Sequence, residues 1–158
     1  MEPLLNKNIL SNNDRKKLIK DCQPLLQDFS EEFPGKQTNP HLHKDPRFSK
    51  PIRIMMRKVY METRKNFYIK KTWINWCNGG KYGWHDHLHS VGRDAGYVMI
   101  YYIKIPFLFF GNGTLFKEEG FITAPQNSIL IFPPHLKHAT PTYPFRLDRY
   151  TMSLDLLF

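Results

Sequence analysis

The apolar residues of this chain change their spacing near residue 71, from the repeat of an α-helix to the alternation of a β-strand. After that point the chain reads as short strands that end in Gly, Pro or Asn, with a hairpin turn expected at 111–113. These strands are residues 73–77, 97–105, 107–110, 114–117, 121–123, 128–132 and 150–156. Short strands at near-regular spacing are typical of a barrel or a jelly roll. The sequence therefore predicts a mainly β core.

Two helices are predicted before this core. The first covers residues 11–29, with Ser11 as its cap and Pro24 as the point where it kinks or splits. After a loop at 30–50, the second begins near Pro51, which the first turn of a helix accepts. Its apolar residues repeat on one face: Ile52, Met55, Met56, Val59 and Tyr60.

Length and composition indicate one folded domain over residues 1–158, with residues 1–71 as a helical support and residues 72–158 as the β core. At 158 residues the chain can bury a core without crosslinks. Apolar residues make up 41% and aromatic residues 15%, which excludes a disordered chain. The formal net charge of +9 leaves open both an acidic or polyanionic partner and a merely solvated basic surface.

The cysteines and the apolar runs bear on the cellular compartment. Cys22 and Cys77 are too few for a disulfide framework, which indicates a reducing, cytoplasmic setting. No secretion signal is recognised at the first residues. The most apolar stretch, 97–110, is interrupted by Lys104 and Pro106, so we expect no membrane span.

Five of the seven histidines fall in two short clusters, HDHLH and HLKH. In an extended segment, residues two apart point to the same side. His85 and His87 would therefore present two imidazoles to one site, while Asp86 faces away. His138 follows the strand at 128–132, and a ligand from such a distant strand completes a facial array with open positions. The sequence predicts a metal site formed by His85, His87 and His138.

The register of this site leaves alternatives open. A shift of two residues would make His87 and His89 the ligand pair. In the other alternative the carboxylate of Asp86 is the ligand, and the segment is then not a regular strand. His41 and His43 form another H-x-H pair, but they lie in a Pro-rich loop and are assigned no role.

Several segments, in this order, resemble motifs of the 2-oxoglutarate- and Fe(II)-dependent oxygenases of the prolyl-hydroxylase type. GKYGWHDH at 80–87 is similar to their G-x-x-Y-G-x-H-x-D entry to the metal site, and IYYI at 100–103 to the strand that follows. PQNSILIFP at 125–133 is similar to P-x-x-G-x-L-x-x-F-P, and DRYTMS at 148–153 to the final R-x-S-x-S strand. The resemblance covers residues 73–158 and implies a double-stranded β-helix with two N-terminal helices packed on one sheet.

The resemblance also implies ligands and roles. It implies Fe(II) as the metal and 2-oxoglutarate as the cosubstrate. The far carboxylate of 2-oxoglutarate is expected to bind Arg149, with Arg146 as the second choice. Tyr102 and Asn75 are expected to assist in cosubstrate binding. No catalytic residue beyond the metal ligands is implied. His87 stands where most members have Asp, which leaves the site one charge more positive.

Some small oxygenase-like proteins of phages and marine bacteria also have H-x-H at this position, preceded by a W-x-N motif. Trp73-Ile74-Asn75 matches that motif. If the chain is phage-encoded, the cytoplasm is that of the host.

The expected activity is hydroxylation of a substrate that the sequence does not identify. A peptide, a metabolite and a nucleobase all remain open. One alternative is a cupin-type metalloprotein with a three-His site and no 2-oxoglutarate. Another is a basic, non-enzymatic binding module, although no zinc-finger, RRM or helix-turn-helix motif is present to support nucleic-acid binding.

Overall fold

A computed structural model describes residues 2–31, 35–79, 83–106, 112–141 and 147–158. The α-helices in these ranges are α1 (Asn12–Cys22), α2 (Ser49–Thr63) and α3 (Leu88–Val91). The strands in the same ranges are β1 (Leu4–Lys7), β2 (Gln27–Asp28), β3 (Gly35–Gln37), β4 (Tyr68–Asn78), β5 (Gly96–Lys104), β6 (Gly113–Phe116), β7 (Gly120–Thr123), β8 (Ser128–Phe132), β9 (His138–Ala139) and β10 (Asp148–Leu157).

The strands form two antiparallel sheets. The larger has the order β1-β8-β5-β10-β4-β3-β2, and the smaller has the order β7-β6-β9. In both sheets, strands that are neighbours in space are often not consecutive in the sequence, so the chain crosses repeatedly between the layers. An apolar cluster joins the sheets with side chains from β5, β6 and β8, among them Val98, Tyr102, Phe116, Leu130 and Phe132. The predicted mainly β architecture is confirmed.

The central strand β10 separates two environments. Tyr150, Met152, Leu154 and Leu156 belong to the core that α1 and α2 cover on one face of the larger sheet. The alternate residues Arg149, Thr151, Ser153 and Asp155, which we call the cavity-facing row, line a cavity on the other face. This alternation follows from the period-two geometry of a strand. The two N-terminal helices thus pack on one sheet, as predicted.

The first helix is shorter than the sequence predicted. Ser11 caps α1, since its Oγ accepts a hydrogen bond from the Asp14 N–H at 3.1 Å. The helix ends at Cys22, and Pro24 lies in a 3-10 turn, because proline lacks the N–H that would continue the α-helix. The expectation of helix as far as residue 29 is wrong there, since β2 follows the turn.

The second helix begins at Ser49, two residues earlier than expected, so that Pro51 lies in its first turn. Of the face predicted to be buried, Ile52, Met55 and Val59 are buried. Tyr60 is 45% exposed and lies at the edge of that face.

The N-terminal region also contributes strands to the larger sheet. β1 pairs with β8, and β3 pairs with β4, so the predicted loop at 30–50 contains sheet structure. The strand predicted at 107–110 and the turn residue Gly111 lie outside the described residues. Among the described helices, none has the length and apolar character that crossing a membrane requires.

Candidate metal centre

A backbone bridge brings the two histidine clusters together. The N–H of His85 donates to the carbonyl of His138 at 3.0 Å, and the N–H of His138 donates back at 2.9 Å. His138 lies in β9, opposite Phe116 of β6. The N–H of His87 donates to the carbonyl of Pro134 at 2.9 Å. These hydrogen bonds hold both clusters at one end of the space between the sheets.

The three predicted ligand side chains converge. One ring nitrogen from each of His85, His87 and His138 lies within 4.8 Å of the other two. The ring centroid of His138 lies 4.2 Å from that of His85 and 5.2 Å from that of His87. Metal–nitrogen bonds of about 2.0–2.1 Å are within reach of small side-chain rotations from this arrangement.

Each imidazole has an oxygen acceptor at Nδ1. For His85 it is the carbonyl of Gly83 at 3.0 Å, and for His138 it is the carbonyl of Leu136 at 2.9 Å. For His87 it is Oδ1 of Asp155 at 2.6 Å. Because carbonyl and carboxylate oxygens only accept, Nδ1 carries a proton in all three rings, which leaves Nε2 as the nitrogen available to a metal. Metal-binding histidines are oriented in this way.

The environment favours neutral imidazoles. Burial lowers the pKa of His138 well below its usual value, and the nearby rings of His85 and His87 lower it further. Burial is also the main cause that lowers the pKa of His85. Neutral imidazole is the form that binds a metal ion.

Asp155 connects the site to the central strand and was not assigned a role in the metal site from the sequence. Its side chain is buried, and Oδ2 accepts a hydrogen bond from Ser90 Oγ while Oδ1 accepts from His87. The ring of Trp73 stacks on His87, with centroids 5.8 Å apart and planes at 16°. The alternation of polar residues from Arg149 to Asp155 was the signal that could have identified this residue.

The histidines open onto a cavity of about 600 Å³. Its inner wall is formed by β4 and β10, including Asn75 and Arg149. Residues 27–29 and 37–40 also line it, and because most of them are exposed we call them the cavity mouth. The Asn75 amide donates to Ser153 Oγ at 3.4 Å, while its Oδ1 is buried without a hydrogen-bond partner among the described residues. The cavity therefore offers polar groups to a bound molecule.

Arg149 is a buried cation without an acidic partner in the described part of the chain. It is 3% exposed, and one guanidinium nitrogen donates to the carbonyl of Gly113 at 3.3 Å. Its Nε is buried and has no hydrogen-bond partner. Asp148 and Asp155 lie on the same strand and could each form a salt bridge with this arginine. Neither forms: Asp148 accepts from Trp76 and Asn78, and Asp155 from His87 and Ser90.

Tyr102 lies behind Arg149 and does not line the cavity itself. Its ring centroid is 5.7 Å from the guanidinium carbon, and its hydroxyl shares a 2.6 Å hydrogen bond with Thr114 Oγ1. Burial raises the pKa of Tyr102 to about 12, so the hydroxyl is protonated and able to donate. Thr114 does line the cavity. Arg146, the second choice for the cosubstrate, lies outside the described residues.

The segment at His85 and His87 is not the regular strand that the sequence suggested. His87 has φ −114° and ψ 20°, and α3 begins directly after it. Asp86 does not face away as expected: it contributes to the cavity wall, and its Oδ1 accepts from the N–H of Leu88 at 3.1 Å. His89 is exposed in α3. The structure places neither alternative ligand in the histidine cluster.

No family model matches the chain, and no curated protein matches it. Solved structures do. The viral collagen prolyl hydroxylase vCPH of Paramecium Bursaria Chlorella virus-1, in complex with 2OG, has a TM-score of 0.71 at 14% identity, and the match covers 98% of this chain and 94% of that one. HygX of Streptomyces hygroscopicus, with nickel, 2-oxoglutarate and hygromycin B bound, has a TM-score of 0.73 at 10% identity, covering 98% and 82%.

A prolyl hydroxylase of Trichoplax adhaerens, in complex with a hypoxia inducible factor peptide fragment, matches with a TM-score of 0.69 at 14% identity, covering 98% of this chain and 83% of that one. These structures share the fold of this chain. The chain has the jelly-roll, or double-stranded β-helix, fold of the 2-oxoglutarate-dependent oxygenases.

Proposed function

We propose that this protein is a non-haem Fe(II)- and 2-oxoglutarate-dependent oxygenase of the hydroxylase type. The observation that supports it most is the position of Arg149, a buried cation without an acidic partner among the described residues, on the wall of the cavity that the three histidines share. Leaving a charge buried and unpaired is costly, so such an arginine indicates an anionic ligand.

The donor set fits iron(II). Three imidazoles that each offer one ring nitrogen within 4.8 Å of the others would suit such an ion, and the cavity beside them would leave room for a bound molecule. His85, His87 and His138 would hold the metal. When bound, iron(II) would supply the activation of O₂ that is coupled to decarboxylation of 2-oxoglutarate.

The protein's own residues would bind and orient the cosubstrate. The guanidinium of Arg149 matches a carboxylate in charge and shape, and would receive the C5 carboxylate of 2-oxoglutarate. The Tyr102 hydroxyl lies behind the cavity wall and would donate to the same group by exchanging its hydrogen bond to Thr114, which does line the cavity. The Asn75 Oδ1, buried without a partner, would accept a donor from a bound molecule or water. The apolar cluster behind Tyr102 excludes water from this end of the cavity.

A peptide, a small metabolite and a nucleobase remain candidate substrates. The structural neighbours include a prolyl hydroxylase bound to a peptide and an enzyme bound to hygromycin B. The substrate would enter through the mouth at residues 27–29 and 37–40.

A cupin-type metalloprotein without 2-oxoglutarate is the second candidate, because three-His iron sites also occur in that class. This alternative explains the histidines and leaves Arg149 without a ligand. A basic binding module explains neither the histidine cluster nor the buried Arg149.

The decisive experiment is an anaerobic titration of Fe(II) and then 2-oxoglutarate, followed by the weak visible charge-transfer band of their chelate. The band should form with the native protein. Arg149→Ala should bind Fe(II) normally and lose at least about 100-fold in 2-oxoglutarate affinity, since breaking a buried charge pair costs about 3–5 kcal/mol. Arg57→Ala, which removes an exposed arginine of α2, is the matched control. No band, or unchanged affinity in Arg149→Ala, would contradict the proposal.

A further inference from the structure

We infer that Asp155 is a positioning residue of the metal centre, which acts through His87 to supply the negative charge that a carboxylate ligand would otherwise bring. This inference rests on the metal site of the proposed function and adds a residue from outside the histidine motif. It concerns the hydrogen bond between Asp155 and His87. The effect of this hydrogen bond can be measured in the metal-free protein and in the metal-bound protein.

The geometry defines a chain of three groups. Ser90 Oγ donates to Oδ2 of Asp155, and Nδ1–H of His87 donates to Oδ1 at 2.6 Å. Each oxygen of Asp155 thus accepts one hydrogen bond, so the side chain acts here as an acceptor only. The Asp155 side chain is 1% exposed and that of His87 is 8% exposed, so the hydrogen bond is shielded from water.

No other residue in the described part of the chain forms an ion pair with Asp155. A buried carboxylate needs a compensating charge or strong hydrogen bonds. The three imidazoles of the cluster are neutral in their ligand form, so they bring no negative charge to a divalent cation. Asp155 would therefore be a negative charge directly behind a ligand, hydrogen-bonded to the far side of the His87 ring.

The strand geometry explains why the carboxylate can act only through His87. Asp155 belongs to the cavity-facing row of β10, and α3, which begins after His87, places Ser90 on the other oxygen. With one oxygen bonded to Ser90 and the other to His87, the carboxylate is held as the acceptor of Nδ1–H. This arrangement fixes the tautomer and the orientation of the ring, and it makes Nε2 a stronger donor to a metal.

The first test needs no metal. Long-range ¹H–¹⁵N NMR of the histidine rings reports which nitrogen carries the proton. In the metal-free wild type, His87 should be protonated at Nδ1. In Asp155→Asn, the side-chain amide can donate to Nδ1, so the population should shift toward the form protonated at Nε2. A wild-type His87 protonated at Nε2, or an unchanged tautomer in the variant, would overturn the inference.

The second test measures affinity for Co(II) by its visible absorption. Asp155→Asn should bind Co(II) about 10- to 100-fold more weakly, the usual effect of losing a partner behind a ligand. Asp148→Asn is the matched control, because Asp148 lies on the same strand and accepts hydrogen bonds from Trp76 and Asn78 but not from a histidine. It should bind Co(II) like the wild type.

The third test asks whether Asp155 acts through His87. In a His87→Asp background the new side chain is itself a carboxylate ligand and has no Nδ1–H to donate. Adding Asp155→Asn there should change Co(II) affinity by less than about threefold, so the two substitutions should be strongly non-additive. An equal loss in both backgrounds would show a merely structural role and overturn the inference.

These results separate the inference from the proposed function. Normal Co(II) binding without 2-oxoglutarate binding would contradict the oxygenase and leave the role of Asp155 intact. If Asp155→Asn does not fold, two measurements still test the inference: the wild-type tautomer of His87 and the Co(II) affinity of Ser90→Ala. Ser90→Ala removes the donor to one carboxylate oxygen, so it should weaken Co(II) binding by a smaller factor than Asp155→Asn.

Discussion

His85 and His138 exchange both backbone hydrogen bonds of an antiparallel bridge, and their ring centroids lie 4.2 Å apart. Two ligands from distant parts of the chain are therefore positioned by main-chain contacts. A metal bound by His85, His87 and His138 should then hold these parts of the fold together.

We expect a divalent cation to stabilise the folded protein. At a free Co(II) concentration of 100 times Kd, mass action contributes about 2.7 kcal/mol. For a chain of this length that corresponds to a rise in Tm of about 5–10 °C. Differential scanning fluorimetry with Co(II), and then with a chelator, measures it. The shift should vanish in His138→Ala, and an equal shift in that variant would place the metal elsewhere.

Substitutions at position 87 should separate ligand identity from ligand number. His87→Asp should retain Fe(II) binding, because a carboxylate with two histidines also suits iron(II). His87→Ala should lose more than about 100-fold in affinity, which exceeds the usual effect of losing a partner behind a ligand. Anaerobic Fe(II) titration of both variants gives the comparison.

Asp86→Ala is the neighbouring control for that series. Asp86 accepts a hydrogen bond from the Leu88 N–H and lies outside the histidine cluster. Its removal should cost stability of about 1 kcal/mol, as for a lost helix cap, and leave Fe(II) affinity unchanged. If Asp86→Ala abolished Fe(II) binding while His87→Ala did not, the carboxylate would be the ligand.

Tyr102→Phe tests the cosubstrate site behind Arg149. If the hydroxyl donates to the cosubstrate carboxylate, its loss should weaken 2-oxoglutarate binding by about 10- to 100-fold, since hydrogen bonds to charged groups contribute about 1.5–3 kcal/mol. Thr114→Val removes only the partner that holds the hydroxyl and should have a smaller effect. Isothermal titration with 2-oxoglutarate in the presence of Co(II) measures both. If Tyr102→Phe binds 2-oxoglutarate like the wild type, the hydroxyl has no role in cosubstrate binding and only forms its hydrogen bond with Thr114.

Alkaline pH should destabilise the fold. Burial raises the pKa of Cys22 to about 12 from an ordinary 9.0, and that of Tyr102 to about 12 from 10.0. The unfolded chain loses these protons first, so stability falls as pH rises from about 9 toward 12. Urea unfolding at several pH values measures this, and Cys22→Ala should flatten the dependence. A free energy of unfolding that stays constant across this range would contradict the assignment.

The sequence predicted the long elements and the short strands β6 and β7, and it missed the short strands β1, β2, β3 and β9. β5, β8 and β10 have strong apolar alternation, and α2 has a clear helical face, so local pattern was sufficient. β2 and β3 are polar and only two or three residues long. Their pairing depends on β4, which local pattern does not contain, and β1 likewise depends on β8.

The site was predicted in part for the same reason. His85, His87 and His138 could be recognised from their clustering and from family motifs, and the structure brings them together. The turn into α3 after His87 was not visible as a pattern, so Asp86 was given the wrong orientation. The role of Asp155 depends on a contact across 68 positions of the chain.

The alternation between the cavity-facing row and the core residues makes β10 intolerant of a change in length. One inserted or deleted residue would turn Arg149 or Asp155 toward the helices and turn Met152 or Leu154 into the cavity. Folding and ligand binding would fail together, since the same alternation serves both. Diversity among proteins built on this plan should therefore accumulate at the cavity mouth, and libraries that seek new specificity should vary residues 27–29 and 37–40 while leaving this strand at its native length.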